Sequence, residues 1–256
     1  MMTKKEIVEN WLPRYTKRAL KDFDEHILLT NFNNYVELFA QWNDVPVLGR
    51  DGNMLNASAN GITMINFGMG SPNAAIIMDI LSAVSPKAVL FLGKCGGLRK
   101  NKIGDYILPS AAIRGEGTSN DYFPPEVPAL PAFSLQRAVS SNIRDFGHDY
   151  WTGTVYTTNR RVWEHDEEFK KHLSITRSIA IDMETATLFS VGFYNHIPTG
   201  ALLLVSDMPL QEDGVKTDES DKIVTANFVE EHIRIGAKAL SSLINNSQTV
   251  KHLRFE

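Results

Sequence analysis

Only one cysteine, Cys95, occurs in the 256 residues, so no intramolecular disulfide can staple the chain, and such usage fits a reducing cytoplasm. An excess of positive charge is missing too. Lys and Arg number 26 against 30 Asp and Glu, a net charge of −4, which argues against a general nucleic-acid binder. A small anionic ligand stays open, because one site needs only a few local cations. No apolar run approaches the roughly 18 residues of a membrane span, and the opening MMTKKEIVENWLPRYTKRALKDF is too polar for a signal peptide. No strand is followed by a full GxGxxG, and no Walker loop surrounds Lys94, which weighs against dinucleotide dehydrogenases and P-loop enzymes. Internal repeats and low-complexity segments are absent as well. What is present is an ordinary globular composition, 43% hydrophobic and 22% charged, at a length that suits one large domain. Residues 1–256 read as a single domain, with 1–24 a helix and arm and 247–256 a tail.

The most informative stretch is SIAIDMETATLFSVGFYNHIPTGALLLVSDMP, Ser178–Pro209, which predicts a strand over Ser178–Ile181, a helix over Thr185–Tyr194 and a strand over Gly200–Val205. A connection of this length predicts a right-handed crossover and parallel pairing of the two strands. Asp182 and Glu184 then follow one strand, and Ser206 and Asp207 the next, at the edge where open α/β sheets bind ligands. One carboxylate there could accept hydrogen bonds from a polyol while another hands over a proton. The plainer alternatives are that Asp182 caps the helix, Glu184 favours its dipole and Asp207 belongs to a turn.

Elsewhere the chain offers further candidates. A helix over Lys4–Trp11 is predicted to end at Pro13, leaving Arg14, Tyr15, Thr16, Lys17 and Arg18 as a cationic patch, either solvated or holding a phosphate. The turn Asn31–Asn34 between the strand His26–Thr30 and the helix Tyr35–Trp42 has neither glycine nor cation. Gly68-Met69-Gly70 follows the strand Ile62–Phe67, and Ser71 and Pro72 are expected to cap and begin the helix Asn73–Val84. Gly93-Lys94-Cys95-Gly96-Gly97 reads as the tip of the strand Ala88–Leu92, where glycines allow close approach to a ligand, Lys94 brings charge and Cys95 is a small buried filler. Arg114–Asn120 is expected to be a mobile loop. Arg160, Arg161 and Trp163 lie together after the strand Trp151–Thr157, able to flank a nucleotide or to sit in solvent at a helix start. A closing helix is predicted over Asn227–Leu243.

The motifs GMGSPNAAI, GKCGGL, RGEGTS, AIDMETATLF and VSDMP, in that order, resemble the nucleoside phosphorylase and nucleosidase superfamily, and within it the catalytic domains of the AMP nucleosidases. The resemblance runs from about Arg14 to Leu243. It implies an α/β fold of three layers, a mixed central sheet flanked by helices. It also implies that Glu184, beside Met183, holds the ribose hydroxyls and that Asp207, beside Ser206, is the acid toward purine N7. The superfamily's phosphorylases grip phosphate through positions that fall here on Thr30, Asn34, Phe91 and Lys94. Neither of their two arginines is kept, so water is the expected nucleophile. The implied reaction is hydrolysis of AMP to adenine and ribose 5-phosphate, without metal or organic cofactor. Gly68, Gly93, Lys94, Cys95 and Gly96 are the expected backbone and cation contacts, and Arg14, Lys94, Arg114, Arg160 and Arg161 are the candidates for a 5′-phosphate. Phosphate is a second possible ligand, through a purine nucleoside phosphorylase activity, and an inactive nucleotide-binding module is the other alternative. The resemblance further implies a homo-oligomer, a hexamer built as a trimer of dimers, in which Arg14-Tyr15-Thr16 is lent to a neighbouring site. Neither nucleic acid nor membrane is an expected partner.

Overall fold

A computed structural model of the chain describes residues 2–246, and the tail assigned to 247–256 lies outside them. Its strands are β1 (His26–Thr30), β2 (Asn56–Ala59), β3 (Ile62–Asn66), β4 (Ala88–Gly97), β5 (Tyr106–Gly115), β6 (Tyr150–Thr158), β7 (Ala180–Asp182) and β8 (Thr199–Asp207). Its helices are α1 (Lys4–Thr16), α2 (Asn33–Asn43), α3 (Ser71–Leu81), α4 (Phe133–Asp145), α5 (Glu167–Ile175), α6 (Thr185–Tyr194) and α7 (Asp218–Asn245). The strands form one mixed sheet in the order β2-β3-β1-β4-β7-β6-β5-β8, and β8 also pairs back onto β4, closing five of them into a ring.

Strands β1 and β4 are buried along their whole length, which is why they read as continuous apolar runs rather than alternating ones. Their pleat divides the core in two. Ile27, Leu29, Phe91, Ala201 and Leu203 pack with α3, α6 and Leu12 of α1, while Leu28, Leu90, Leu92, Leu202 and Leu204 pack with α2, α4 and α7. The result is the expected three layers, helices on both faces of a mixed sheet. No helix among the described residues is long and apolar enough to cross a membrane.

Several local expectations are corrected. Strands β7 and β8 do not pair in parallel: β8 runs parallel to β4, and β7 pairs antiparallel with the end of β4 and parallel with β6. Helix α1 passes through Pro13 to Thr16, where Lys17, at φ 57°, closes it by donating its N–H to the Pro13 carbonyl at 2.8 Å. Packing outweighs the proline there, since Leu12 and Thr16 are both fully buried. Gly70, at φ 92°, is the cap of α3 in place of Ser71, which lies inside the helix. The segment Gly93–Gly97 is strand and not loop, because β4 continues past β1 to pair with β7 and β8. Helix α7 begins nine residues earlier than Asn227, at Asp218, under a capping box formed by Thr217 and Ser220. The loop after Arg114 is pinned: that guanidinium donates to Ser119 Oγ, Asn120 Oδ1 and the carbonyls of Phe123, Pro124 and Val127 at 2.6–3.0 Å.

Candidate active site

The extension of β4 brings the carboxyl groups together. Gly96 is in register with Ile181 of β7 on one side and with Asp207 of β8 on the other. A cleft opens at this point, lined by Asp182, Met183, Glu184, Ser206 and Asp207 together with Lys94, Cys95 and Gly96. Asn31, Phe32 and Met69 form another part of its wall, and Thr158, Arg160, Arg161, Trp163 and Lys216 another.

Asp182 is the anchor. Its Oδ1 accepts from the Thr157 hydroxyl at 2.6 Å, and its Oδ2 accepts from the backbone N–H groups of Glu184 and Thr185 at 3.2 and 2.7 Å and from the Thr185 hydroxyl. Thr157 Oγ1 in turn accepts from the Ala186 N–H at 2.9 Å, so the first amides of α6 are satisfied and the turn before it is fixed. This turn presents Glu184, only 2% exposed. Its Oε1 accepts from the Gly70 N–H at 2.7 Å and its Oε2 from the Met183 N–H at 3.3 Å. The Ser71 hydroxyl donates to the Met183 carbonyl at 2.7 Å and locks the start of α3 to the same turn. Burial, and then the neighbouring Asp182 charge, push the Glu184 carboxyl up, against the hydrogen bonds from Gly70, Met183 and Asn31 that favour its ionised form. Burial raises Asp182 too, opposed by its four donors. Two acids this close cannot both ionise without cost, and the fuller set of donors makes Asp182 the better anion.

Asp207 lines the same cleft. Its Oδ1 accepts from the Ser206 hydroxyl at 2.6 Å. A Cβ at Gly96 would lie 3.2 Å from Oδ2 and 2.9 Å from Pro209, so the bare glycine makes room for this carboxyl. Burial pushes Asp207 up, while the Ser206 hydroxyl, Lys216 and Arg161 pull the other way and Glu164 adds to the rise. A carboxyl raised by burial, with one oxygen unengaged by the described residues, can act as a general acid.

The structure separates the remaining candidates. Lys94 lines the cleft but points its ammonium to Asp221 Oδ1 at 2.8 Å and Thr225 Oγ1 at 3.0 Å. Cys95 is buried, its Sγ 3.7 Å from the Leu204 carbonyl, and burial raises its thiol well above the usual range, so it is a poor nucleophile. Arg160 pairs with Asp166 at 2.8 Å over the Phe169 ring, and Arg161 lies 3.5 Å from Glu164. Gly93 sits against Phe91 and Leu203 in the core, and Gly68 donates its N–H to Asn66, so neither lines the cleft; in that part of the chain Gly70 makes the functional contact. Arg114 is engaged within its own loop. Arg14, Tyr15 and Thr16 do not line the cleft of their own chain: Thr16 donates to the Leu12 carbonyl, and the Tyr15 carbonyl accepts from Asn53 and Met54. Lys216 is a site residue that motif reading misses; the capping signal Thr217-x-x-Ser220, which starts α7 beside it, is the sequence feature that could have placed it. Among the described residues no group of three His, Cys, Asp or Glu is arranged to hold a metal ion.

A mixed sheet presenting one buried carboxyl from a strand–helix turn and another from a neighbouring strand end is the arrangement of a glycosidic-bond enzyme of the nucleoside phosphorylase type. The chain belongs to the phosphorylase superfamily, whose pattern it matches over residues 25–245. Among solved structures it is similar to the AMP nucleosidase from Bacteroides thetaiotaomicron, at 58% identity with a TM-score of 0.87, over 96% of this chain and 100% of that one. It is also 29% identical to the AMP nucleosidase of Escherichia coli (strain K12), over 91% of this chain and 57% of that protein, so the chain spans little more than half the length of that relative. The uridine phosphorylase from Vibrio fischeri shares the fold, with a TM-score of 0.76 at 20% identity, over 87% of this chain and 93% of that one.

Proposed function

We propose that this protein hydrolyses the N-glycosidic bond of AMP, yielding adenine and ribose 5-phosphate. The observation that carries the reading is the pair of carboxyls Glu184 and Asp207, both raised by burial and both lining one cleft. The 58% identity to an AMP nucleosidase over 96% of the chain supports the choice of substrate.

In this scheme the C1′–N9 electron pair moves into the purine as the bond breaks, and N7 takes the proton that Asp207 holds. Such general acid help is worth about 10²–10⁴ in rate. Glu184, held by the Gly70 and Met183 amides, accepts hydrogen bonds from the ribose hydroxyls; these added donors favour its ionised form against the burial that raises it, and that charge stabilises the cationic sugar. The oxygen of water then bonds to C1′, and the proton it sheds restores Asp207 through solvent. Trp163, 4% exposed in the cleft wall, is available to the base. Water is favoured over phosphate as nucleophile because the chain leaving β1 runs Asn31-Phe32-Asn33-Asn34 into α2, without a guanidinium. The homo-oligomer implied by the resemblance belongs to the same proposal.

Asp207→Asn tests it. The substituted chain is expected to keep its fold by circular dichroism and to lose adenine release from AMP by roughly 10²–10⁴-fold. Turnover within a few-fold of the unsubstituted chain would remove Asp207 from the chemistry.

A further inference from the structure

Four basic side chains line the cleft, Lys94, Arg160, Arg161 and Lys216, and their counter-ions are unequal. Arg160 has Asp166 and Arg161 has Glu164, one acid for each guanidinium. Lys94 and Lys216 share a single one: both ammoniums lie 2.8 Å from the same oxygen, Oδ1 of Asp221. The ion pairs therefore leave one positive charge over, at a site closed to water at Lys94, 3% exposed, and more open at Lys216 and Asp221, 20% and 34% exposed. Holding an excess cation there is costly unless an anion completes the set.

The surroundings suit such an anion. The Phe32 ring lies under both ammoniums, 4.8 Å from Lys94 Nζ and 5.8 Å from Lys216 Nζ. Thr225 Oγ1 accepts from Lys94 at 3.0 Å and keeps its own hydrogen to donate. Thr30 ends β1 opposite Leu92, two positions short of Lys94, and its fully buried hydroxyl has no partner among the described residues. Compact point charges beside hydroxyl donors recognise a phosphate group.

We propose that Lys216 and Lys94, with Thr225, hold a phosphate group, and that this group is the 5′-phosphate of the substrate. The assignment rests on the AMP reading above. Free inorganic phosphate offers the same chemistry, so the test has to separate the two sources. Asp207 also lies within reach of the Lys216 charge, along with Arg161, Glu164 and the Ser206 hydroxyl, so losing Lys216 also alters the acid. That alteration acts on any purine substrate alike, whereas phosphate recognition acts on AMP alone.

Adenine release is measured with AMP and with adenosine, each with and without inorganic phosphate, for the full chain and for Lys216→Met, Lys94→Met and Asp221→Asn, and the sugar product is identified. Each lysine variant is expected to lower the AMP-to-adenosine ratio of kcat/KM by roughly 10- to 100-fold, the scale of one charged hydrogen bond. Asp221→Asn frees both ammoniums and is expected to raise the ratio, a gain that a folding defect does not produce. Equal losses on both substrates, or a ratio that falls in Asp221→Asn, overturn the proposal. Ribose 1-phosphate formed at the expense of phosphate also overturns it, because the cluster would then serve the attacking group. Titration calorimetry with AMP and adenosine reads the same ratio without turnover. If the unsubstituted chain releases no adenine, it is the hydrolysis reading that fails, while the binding ratio still decides the phosphate site.

Discussion

His232 makes the fold sensitive to mild acid, and the size of the effect follows from its surroundings. The ring is fully buried in α7, with Nε2 3.0 Å from the Leu202 carbonyl and Nδ1 3.0 Å from the Tyr35 hydroxyl. A carbonyl only accepts, so Nε2 carries the hydrogen, and Nδ1 accepts from Tyr35. A second proton on Nδ1 would reverse that bond and place a charge in the core. Burial, with the nearby Lys94 charge adding to it, depresses the group to about 4 from the ordinary 6.5, against the bond to Leu202. The folded pKa is lower than the unfolded one, so the unfolded chain binds more protons and stability rises with pH between the two values. Falling from pH 6.5 toward 4 therefore costs up to about 3 kcal/mol, at about 1.36 kcal/mol per unit. Asp182, Glu184 and Asp207 act in the opposite sense: their pKa values are raised in the fold, so they contribute stability at low pH that is lost as pH rises through the folded values. The measurement is accordingly a difference. Urea unfolding of the native chain and of His232→Gln, at one protein concentration and at steps from about pH 7.5 to 4.5, isolates the histidine. The substituted amide still offers a donor to Leu202 but does not titrate, so the variant should be less stable at about pH 7.5 by about 1–2 kcal/mol and close that gap as pH falls. A constant gap across the range would refute the assignment.

Two further substitutions probe the site itself. Gly96→Ala places a methyl group 2.9 Å from Pro209 and 3.2 Å from Asp207 Oδ2, so adenine release from AMP should fall by roughly tenfold or more and the melting temperature should drop with the displaced Pro209 ring; unchanged turnover would mean that Asp207 does not need this room. Thr157→Val removes the donor to Asp182 Oδ1 and the acceptor of the Ala186 N–H, and should cost about 1–3 kcal/mol in urea unfolding, with a loss under roughly 0.5 kcal/mol counting against a structural role.

The layers are legible in the chain because the buried strands are unbroken apolar runs and the helices keep their period. The segment Gly93–Gly97 reads as a tip beyond the strand because glycine, lysine and cysteine carry no strand preference, and only the partners supplied by β7 and β8 make it strand. Arg114 and Lys94 illustrate a second limit. Both are cations next to glycines, yet one is consumed by three carbonyls and two side chains of its own loop, while the other shares an acid from a helix 127 residues away. Sequence spacing locates such charges along the chain but says nothing of the counter-ion that decides whether a ligand can claim them. The same holds for Thr157, whose value lies in a bond to Asp182 made across two strands.

The convergence of the two carboxyls follows from a route that strand–helix–strand reasoning does not supply. Parallel pairing of β7 with β8 would set Glu184 and Asp207 side by side at one edge, but β7 runs antiparallel to β4 while β8 runs parallel to it. They meet because β4 outruns β1 and offers Gly96 as a shared rung, with Ile181 on one side and Asp207 on the other. The antiparallel reversal has a chemical consequence. The two carboxyls reach the one cleft by different routes, one through a helix cap and the other through a strand end, so their environments differ. Glu184 is surrounded by backbone donors and a neighbouring acid, Asp207 by a hydroxyl, two cations and an acid. The proposed scheme uses that asymmetry, with one acid accepting hydrogen bonds from a sugar and the other passing a proton to a leaving base, and a parallel pair on a single edge would have made the two surroundings more alike.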